Sequence, residues 1–220
     1  MILITVSILK YLAVLFMLID HIGFFFSNTK YYIIMRIIGR LAAPIFFFCF
    51  VEGYLHTHNK NIYRNRLFIS AFFMSIINII MIIFFKYIQC PLPNAINPFE
   101  PNMFFTFFVM YQILTALTEK KYTLLFFGIF VPFMEYSFFA FFSILIFYYI
   151  KNKNKKFLLF VFFNLILCLL CKNIIELFMI ISVLFLYFYN GEKGYYHKYF
   201  FYFFYPIHFY FLAFLRIFLK

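Results

Sequence analysis

The sequence predicts an all-α fold: a polytopic integral membrane helical bundle of about 8–10 transmembrane helices. Three observations predict it. Hydrophobic residues make up 67% of the 220-residue chain and charged residues only 12%, too few charges to cover a soluble surface. The apolar residues fall into runs close to the twenty or so that cross a bilayer core. The lysines and arginines gather in short stretches between those runs, where they set topology. Phe (42) and Tyr (19) dominate and Trp is absent; the bias toward Phe, Ile, Lys and Asn also fits an AT-rich genome. The net charge of +12 would suggest a nucleic-acid partner in a soluble protein. In short inter-span loops it suggests topology and anionic membrane lipid instead, with no nucleic acid.

The runs place spans near residues 8–26, 32–51, 66–86, 102–118, 123–132, 134–150, 157–171, 173–189 and 198–217. The pair around Pro132 reads as one long kinked helix or as two short ones, since interrupted segments are tolerated in a membrane beside other helices or cavities. No internal repeat or soluble segment stands out, so residues 1–220 are expected to form one transmembrane domain. The first run lacks the basic flank and small-residue cleavage site of a signal peptide, and Asp20-His21 interrupts it. Cys49, Cys168 and Cys171 lie in apolar runs and Cys90 in a loop; the CxxC of NLILCLLCKN has no second pair, so these read as packing residues rather than a metal or redox site.

With nine spans, one side of the membrane holds Lys10 and four loops that together carry twelve basic residues, against six on the other side. The richer side is expected to be cytoplasmic. It contains the turn that follows Glu52 and the loop around Asn190.

Candidate site residues stand out because ionisable groups inside a membrane are costly, about 2.5–3.5 kcal/mol each on insertion scales, and usually face an interior cavity. The stretch RIIGRLAAPIFFFCFVEGYLHTHN, residues 36–59, is the densest. Arg36 and Arg40 share a helical face, as do Glu52 and His56 if the helix continues past Gly53, with Asn59 three residues on. Gly39, Ala42 and Ala43 would let a neighbouring helix approach, and Pro44 would disturb the span. Asp20 and His21 interrupt the first span on different faces; a buried Asp–Arg pair with Arg36 or Arg40 is the plainer reading of Asp20, whereas His21 has a side chain suited to a base near neutral pH. A metal site from Glu52, His56 and His58 lacks a standard zinc spacing, and no metal is expected. Asn102 and Thr106 share a face at the start of the fourth span, with helix capping as the plainer reading. Glu135-Tyr136 reads as an interfacial turn. Asn190, Gly191 and Gly194 make a turn between spans. Aromatic girdles explain most tyrosines of KYFFYFFYPIHF, Tyr205 included, but not His208 beside Pro206.

These blocks, in this order, resemble the TraX family of integral membrane proteins: LKYLAVLFMLIDHIG, then RIIGRLAAPIFFFCFVEGYLHTHNKNIYRNRL, NMFFTF, MEYSFFA, YNGEKG and KYFFYFFYPIHF. The resemblance spans nearly the whole chain. It departs after the arginine-rich loop, where the family tends to a Ser-Glu-Pro-Phe-Asp-like segment and this chain reads SIINII. The resemblance implies a bacterial inner-membrane acetyltransferase, with acetyl-CoA as co-substrate and no covalently bound cofactor. The acceptor it implies is the N-terminal amine of a pilin peptide, with O-acylation of a cell-surface glycan as the alternative. His21 or His56 would then serve as base, oriented by Asp20 or Glu52. Arg36 and Arg40 would hold CoA phosphates or the oxyanion. Asn59, Asn102, Thr106, Glu135, Tyr136, Asn190, Tyr205 and His208 complete the substrate- and cofactor-binding set. A transporter and a non-enzymatic membrane component are the competing functions, because intramembrane Asp, Arg and His also mark transport paths.

The charge distribution makes a first prediction. Lys60→Cys is expected to escape a membrane-impermeant thiol reagent in intact cells and to be labelled once the membrane is opened; labelling in intact cells would reverse the topology.

Overall fold

A computed structural model describes residues 4–88, 102–195 and 197–218, so Cys90 lies outside the described residues. The fold is all-α with membrane character. Four helical stretches are long and apolar enough to cross a bilayer, Val6–Phe25, Tyr32–His56, Lys60–Tyr87 and Lys153–Cys171, and several shorter apolar helices accompany them. All nine predicted spans correspond to helical stretches. By its contacts the chain divides into two compact units, Met1–Glu52 with Ser143–Lys220, and Gly53–Phe142.

In the first unit, α1 (Val6–Phe25) is capped by the Thr5 hydroxyl, which accepts from the Ile8 N–H at 3.5 Å. The chain ahead of it pairs with the segment that precedes the last helix: Ile4 N–H donates to Phe188 O, Val6 N–H to Glu192 O and Ser7 N–H to Lys193 O. Gly194, at φ +66°, fits against the Thr5 and Ser7 hydroxyls, where a Cβ would overlap them. This ties down the first N–H groups of α1, which no helix can satisfy internally.

The predicted span over 32–51 is longer and is interrupted. It comprises α2 (Tyr32–Gly39) and α3 (Ala42–His56), so the helix does continue past Gly53. The break at Arg40–Leu41 has a local cause. Pro44 has no N–H to give the Arg40 carbonyl four residues back, and its ring crowds that carbonyl. α2 packs on α1 through glycines. A Cβ on Gly23 would lie 2.8 Å from Met35 Cβ, and one on Gly39 would overlap the Asp20 carboxyl. Close approach through small residues is how membrane helices gain packing energy without a hydrophobic driving force. Val14, Met17 and Ala42 continue the contact, joined by Phe46, Phe201, Phe204 and Tyr205.

The second unit contains α4 (Lys60–Tyr87) and α5 (Met103–Thr118). α4 buries Leu67, Ala71, Met74, Asn78, Met81 and Phe85 at helical spacing, and exposes Phe68, Ile69, Phe72, Phe73, Ile76, Ile80 and Ile83 to the surroundings that lipid would occupy. α5 is buried along most of its length. The region around Pro132 resolves into two elements, an extended 3-10 segment Tyr122–Phe133 and α6 (Ser137–Tyr149). The predicted 123–132 helix is thus the tighter 3-10 form, and Tyr136 at φ 61° turns the chain between the two.

α6 leads back into the first unit, where Phe147 packs on Phe48 and Phe160. α7 (Lys153–Cys171) is capped by Asn152 and stops at Lys172, which adopts φ 53°. The predicted span over 173–189 is broken into α8 (Ile174–Leu177), a 3-10 turn Phe178–Ile181, and α9 (Ser182–Tyr187). α10 (Lys198–Phe218) carries Pro206 inside it and lies against α1. Of the cysteines, Cys49 is buried, as a packing residue should be, Cys168 is half-buried and Cys171 is exposed.

Gly39→Ala tests the glycine contact. It is expected to separate α1 from α2 and lower the melting temperature of the purified protein, with Gly128→Ala, where no atom lies within 4 Å of the added carbon, as the neutral control.

Candidate functional site

Successive residues of a helix point about 100° apart, so Asp20 and His21 on α1 face different neighbours. Asp20 faces α2. Its carboxylate accepts from Arg36 Nη1 at 2.5 Å and from Arg40 Nη2 at 2.9 and 3.0 Å. Arg40 also donates through Nη1 to Glu176 Oε1 on α8 at 3.1 Å. Asp20 and Arg40 are buried, at 7% and 6% exposure. Two guanidinium groups and two carboxylates therefore close a neutral cluster, which makes burial of Asp20 and Arg40 tolerable, while Arg36 and Glu176 stay partly exposed. Arg36 is the member with capacity to spare. Among the described residues it spends only Nη1, on the side chain and carbonyl of Asp20, and rests 5.5 Å over the Phe24 ring.

The buried pair suggested for Asp20 by sequence is thus present, and it involves both arginines. Glu176 was not singled out from sequence. A signal existed: among only seven acidic residues, Glu176 sits in the apolar stretch IIELF. It lies inside the predicted span over 173–189, where a carboxylate needs a partner.

His21 faces α10. Its Nδ1 lies 2.7 Å from His208 Nε2. Tyr205 and Phe209 approach the His21 ring edge-on, with centroids at 6.5 and 5.3 Å. His208 is buried, at 5% exposure, and its Nδ1 lies 2.7 Å from the Phe204 carbonyl. His21 keeps partial exposure, and nothing among the described residues hydrogen-bonds its Nε2. Asp20, His21, Arg36, Arg40, Tyr205 and His208 are therefore brought into one neighbourhood on α1, α2, the break that follows α2, and α10, with Glu176 added.

Glu52 is engaged elsewhere in the same unit. It lies twelve residues beyond Arg40, roughly 18 Å along a helix, and accepts from the Tyr189 hydroxyl at 2.7 Å. The Tyr189 phenol is thus one partner of Glu52. Asn190 is occupied in a turn: its Oδ1 accepts from Glu192 N at 2.9 Å and its Nδ2 donates to Glu192 Oε2 at 2.9 Å.

In the second unit, His56 is the exposed last residue of α3. Asn59 lies outside that helix and caps α4, its Oδ1 accepting from Ile62 N at 2.9 Å. Asn102 caps α5 through Phe105 N at 3.0 Å, and its Nδ2 reaches the Ala71 carbonyl at 3.3 Å. The Thr106 hydroxyl accepts from Glu135 N at 2.9 Å and donates to Glu135 O at 3.4 Å. Asn102 and Thr106 thus hold α4 and the Glu135-Tyr136 turn to α5 through backbone groups. At the other end of α5, Glu119 pairs with Lys121 at 2.7 Å and Lys60 at 3.0 Å. The bond from Lys121, then that from Lys60, holds the Glu119 carboxyl below its usual range. Among the described residues no three His, Cys, Asp or Glu side chains converge as metal ligands.

A helical membrane bundle that buries a neutral carboxylate–arginine cluster beside a histidine pair is a polytopic membrane protein with an ionisable centre. The chain belongs to the TraX protein family, whose family model matches residues 5–216. No curated protein and no solved structure matches it.

Arg40→Ala is expected to cost about 3–5 kcal/mol, because it removes the Glu176 carboxylate's arginine and leaves the buried Asp20 carboxylate with Arg36 alone. The measurement is thermal unfolding of detergent-solubilised protein, with exposed Lys151→Ala expected to leave it unchanged.

Proposed function

We propose that the chain is an acetyltransferase of the bacterial cytoplasmic membrane, with acetyl-CoA as donor and the N-terminal amine of a small apolar peptide of the pilin kind as first acceptor. Acyl transfer needs a base for the nucleophile and a donor for the developing oxyanion. His21 supplies the base through Nε2, and the N–H groups that Arg36 has to spare supply the oxyanion donor. The acceptor nitrogen forms its bond to the acetyl carbon, its proton passes to His21, the thioester C–S bond breaks, and the proton is handed to the departing CoA thiolate. A peptide α-amine, with a pKa of about 7.7–8.0, is partly neutral at physiological pH, whereas a lysine at about 10.4 is not.

The observation that carries this reading is a half-buried histidine with one ring nitrogen unengaged among the described residues, beside a charge-balanced arginine cluster, in a chain that belongs to this family. The cluster favours a particular use of the arginines. Asp20 and Glu176 already neutralise them, so a CoA phosphate would have to displace a carboxylate. A carbonyl oxygen that becomes negative only in the transition state needs no such exchange.

The test uses full-length protein in lipid nanodiscs with isotope-labelled acetyl-CoA and a synthetic apolar peptide bearing a free N-terminus. The expected product is the peptide plus one labelled acetyl group, with no product from the N-blocked peptide. His21→Ala is expected to lower turnover about 100-fold or more without reducing yield of folded protein. Transfer to a surface-glycan hydroxyl alone would keep the enzyme class and replace the acceptor. Folded protein that transfers to neither would overturn the reading in favour of transport or a structural role.

A further inference from the structure

His208 is buried, conspicuous in sequence, and unused by the chemistry above. Two hydrogen bonds decide what it can do. The Phe204 carbonyl oxygen, 2.7 Å from His208 Nδ1, has no proton to give. His208 Nδ1 must therefore be the donor in that bond. In a neutral imidazole the other nitrogen is then an acceptor, so His208 Nε2 presents a lone pair. The atom facing it, at 2.7 Å, is His21 Nδ1, which must carry the proton. With Nδ1 protonated, the lone pair of neutral His21 is on Nε2, the nitrogen that has no partner among the described residues.

Three features support the neutral state of His208 that this chain of bonds requires. The ring is 5% exposed, packed against Phe204 with centroids 4.7 Å apart and near Tyr205 at 6.0 Å. No carboxylate among the described residues pairs with it; Asp20 and Glu176 are committed to the arginines. A cation in that place would be desolvated and uncompensated. The ring geometry also fits a directed bond. His21 and His208 are 12° from parallel with centroids 4.9 Å apart, which with nitrogens at 2.7 Å is the arrangement of two rings meeting edge to edge, so that the N–H points along the lone pair.

We propose that His208 is the positioning residue for His21: anchored by the Phe204 carbonyl, it fixes the Nδ1–H tautomer of His21 and leaves Nε2 as the proton-accepting nitrogen. Once Nε2 takes a proton, His21 becomes an imidazolium whose Nδ1–H still donates to His208, so the positive charge keeps its hydrogen bond inside the membrane. The logic is that of a base held in its working tautomer by a neighbour that never touches substrate, where loss of the correct tautomer costs about 10⁴ in turnover in the best-studied case. The catalytic part of this inference rests on His21 being the base of the acetyl transfer proposed above; the tautomer does not.

Two measurements test it. In full-length protein with ¹⁵N-labelled histidine, reconstituted in lipid, imidazole nitrogen shifts should show His21 protonated at Nδ1 and bare at Nε2, with a mixture of tautomers in His208→Leu. In the transfer assay, His208→Leu is expected to lower kcat about 100-fold with KM for acetyl-CoA changed less than about threefold, and His208→Gln, whose amide oxygen can still accept from Nδ1, to recover at least about a tenth of wild-type kcat. Wild-type His21 protonated at Nε2, or His208→Leu with wild-type kcat, would overturn the proposal. Should His208→Leu fail to fold, the wild-type spectrum and His208→Gln still decide it: a Nδ1-bare His21 overturns it. A Nδ1-protonated His21 in a protein that transfers no acetyl supports the assigned tautomer and overturns the acetyltransferase reading alone.

Discussion

The Asp20 carboxylate, accepting from Arg36 and Arg40 inside an apolar bundle, is the interaction on which the first unit depends. Each of these charges alone would be costly in hydrocarbon. Together with Glu176 they sum to zero, and every other feature nearby serves their meeting. Gly39 has no Cβ because the Asp20 carboxyl lies where one would be. Gly23 allows α1 and α2 the same closeness one turn along. Pro44 accounts for the break at Arg40–Leu41, which frees the Arg40 side chain to reach both Asp20 and Glu176. Buried ion pairs are weak evidence for stability against an apolar alternative, but they penalise any other register severely. Here register is the relevant quantity.

That register sets the histidines. Fixing Asp20 toward α2 also fixes the next residue, His21, on the side where α10 runs, and delivers it to His208. The charge cluster and the histidine pair are thus consecutive residues of one helix with separate duties, one closing helix contacts and the other left partly exposed. The polar groups of the second unit have a different character. Asn59 and Asn102 cap helices, and Thr106 bonds a backbone turn. For Asn102 and Thr106 these are main-chain groups that a membrane cannot solvate, whereas Asn59 caps an exposed helix start.

Much of this was legible in the sequence. Run length and hydropathy located every helical segment, because the requirement to satisfy each backbone group internally leaves few options. The Arg36/Arg40 spacing and Asp20 pointed to one another because opposite charges in an apolar run need partners. What could not be read was which polar residues were spent locally. Asn59, Asn102 and Asn190 look like ligands in a list of polar residues, yet each has its carbonyl oxygen on a backbone N–H two or three residues away. Long-range partners were equally hidden: Glu176 is 136 residues from Arg40, and His208 is 187 from His21. No periodicity within a helix encodes such pairs. The 3-10 form of residues 122–133 was also invisible, since hydropathy does not distinguish it from an α-helix.

The location of the histidine pair constrains any reaction it performs. His21 is near the end of α1, about fifteen residues or roughly 22 Å from the helix start, whereas Lys10 and Lys193 lie toward that start, the Lys193 carbonyl accepting from Ser7 N at 3.0 Å. The neutral cluster beside His21 bears on the proposed acetyl transfer. With Asp20 and Glu176 already on the arginines, it would not draw CoA phosphates inward. The remaining arginine N–H groups would stay in place for a charge that appears only as a carbonyl is attacked.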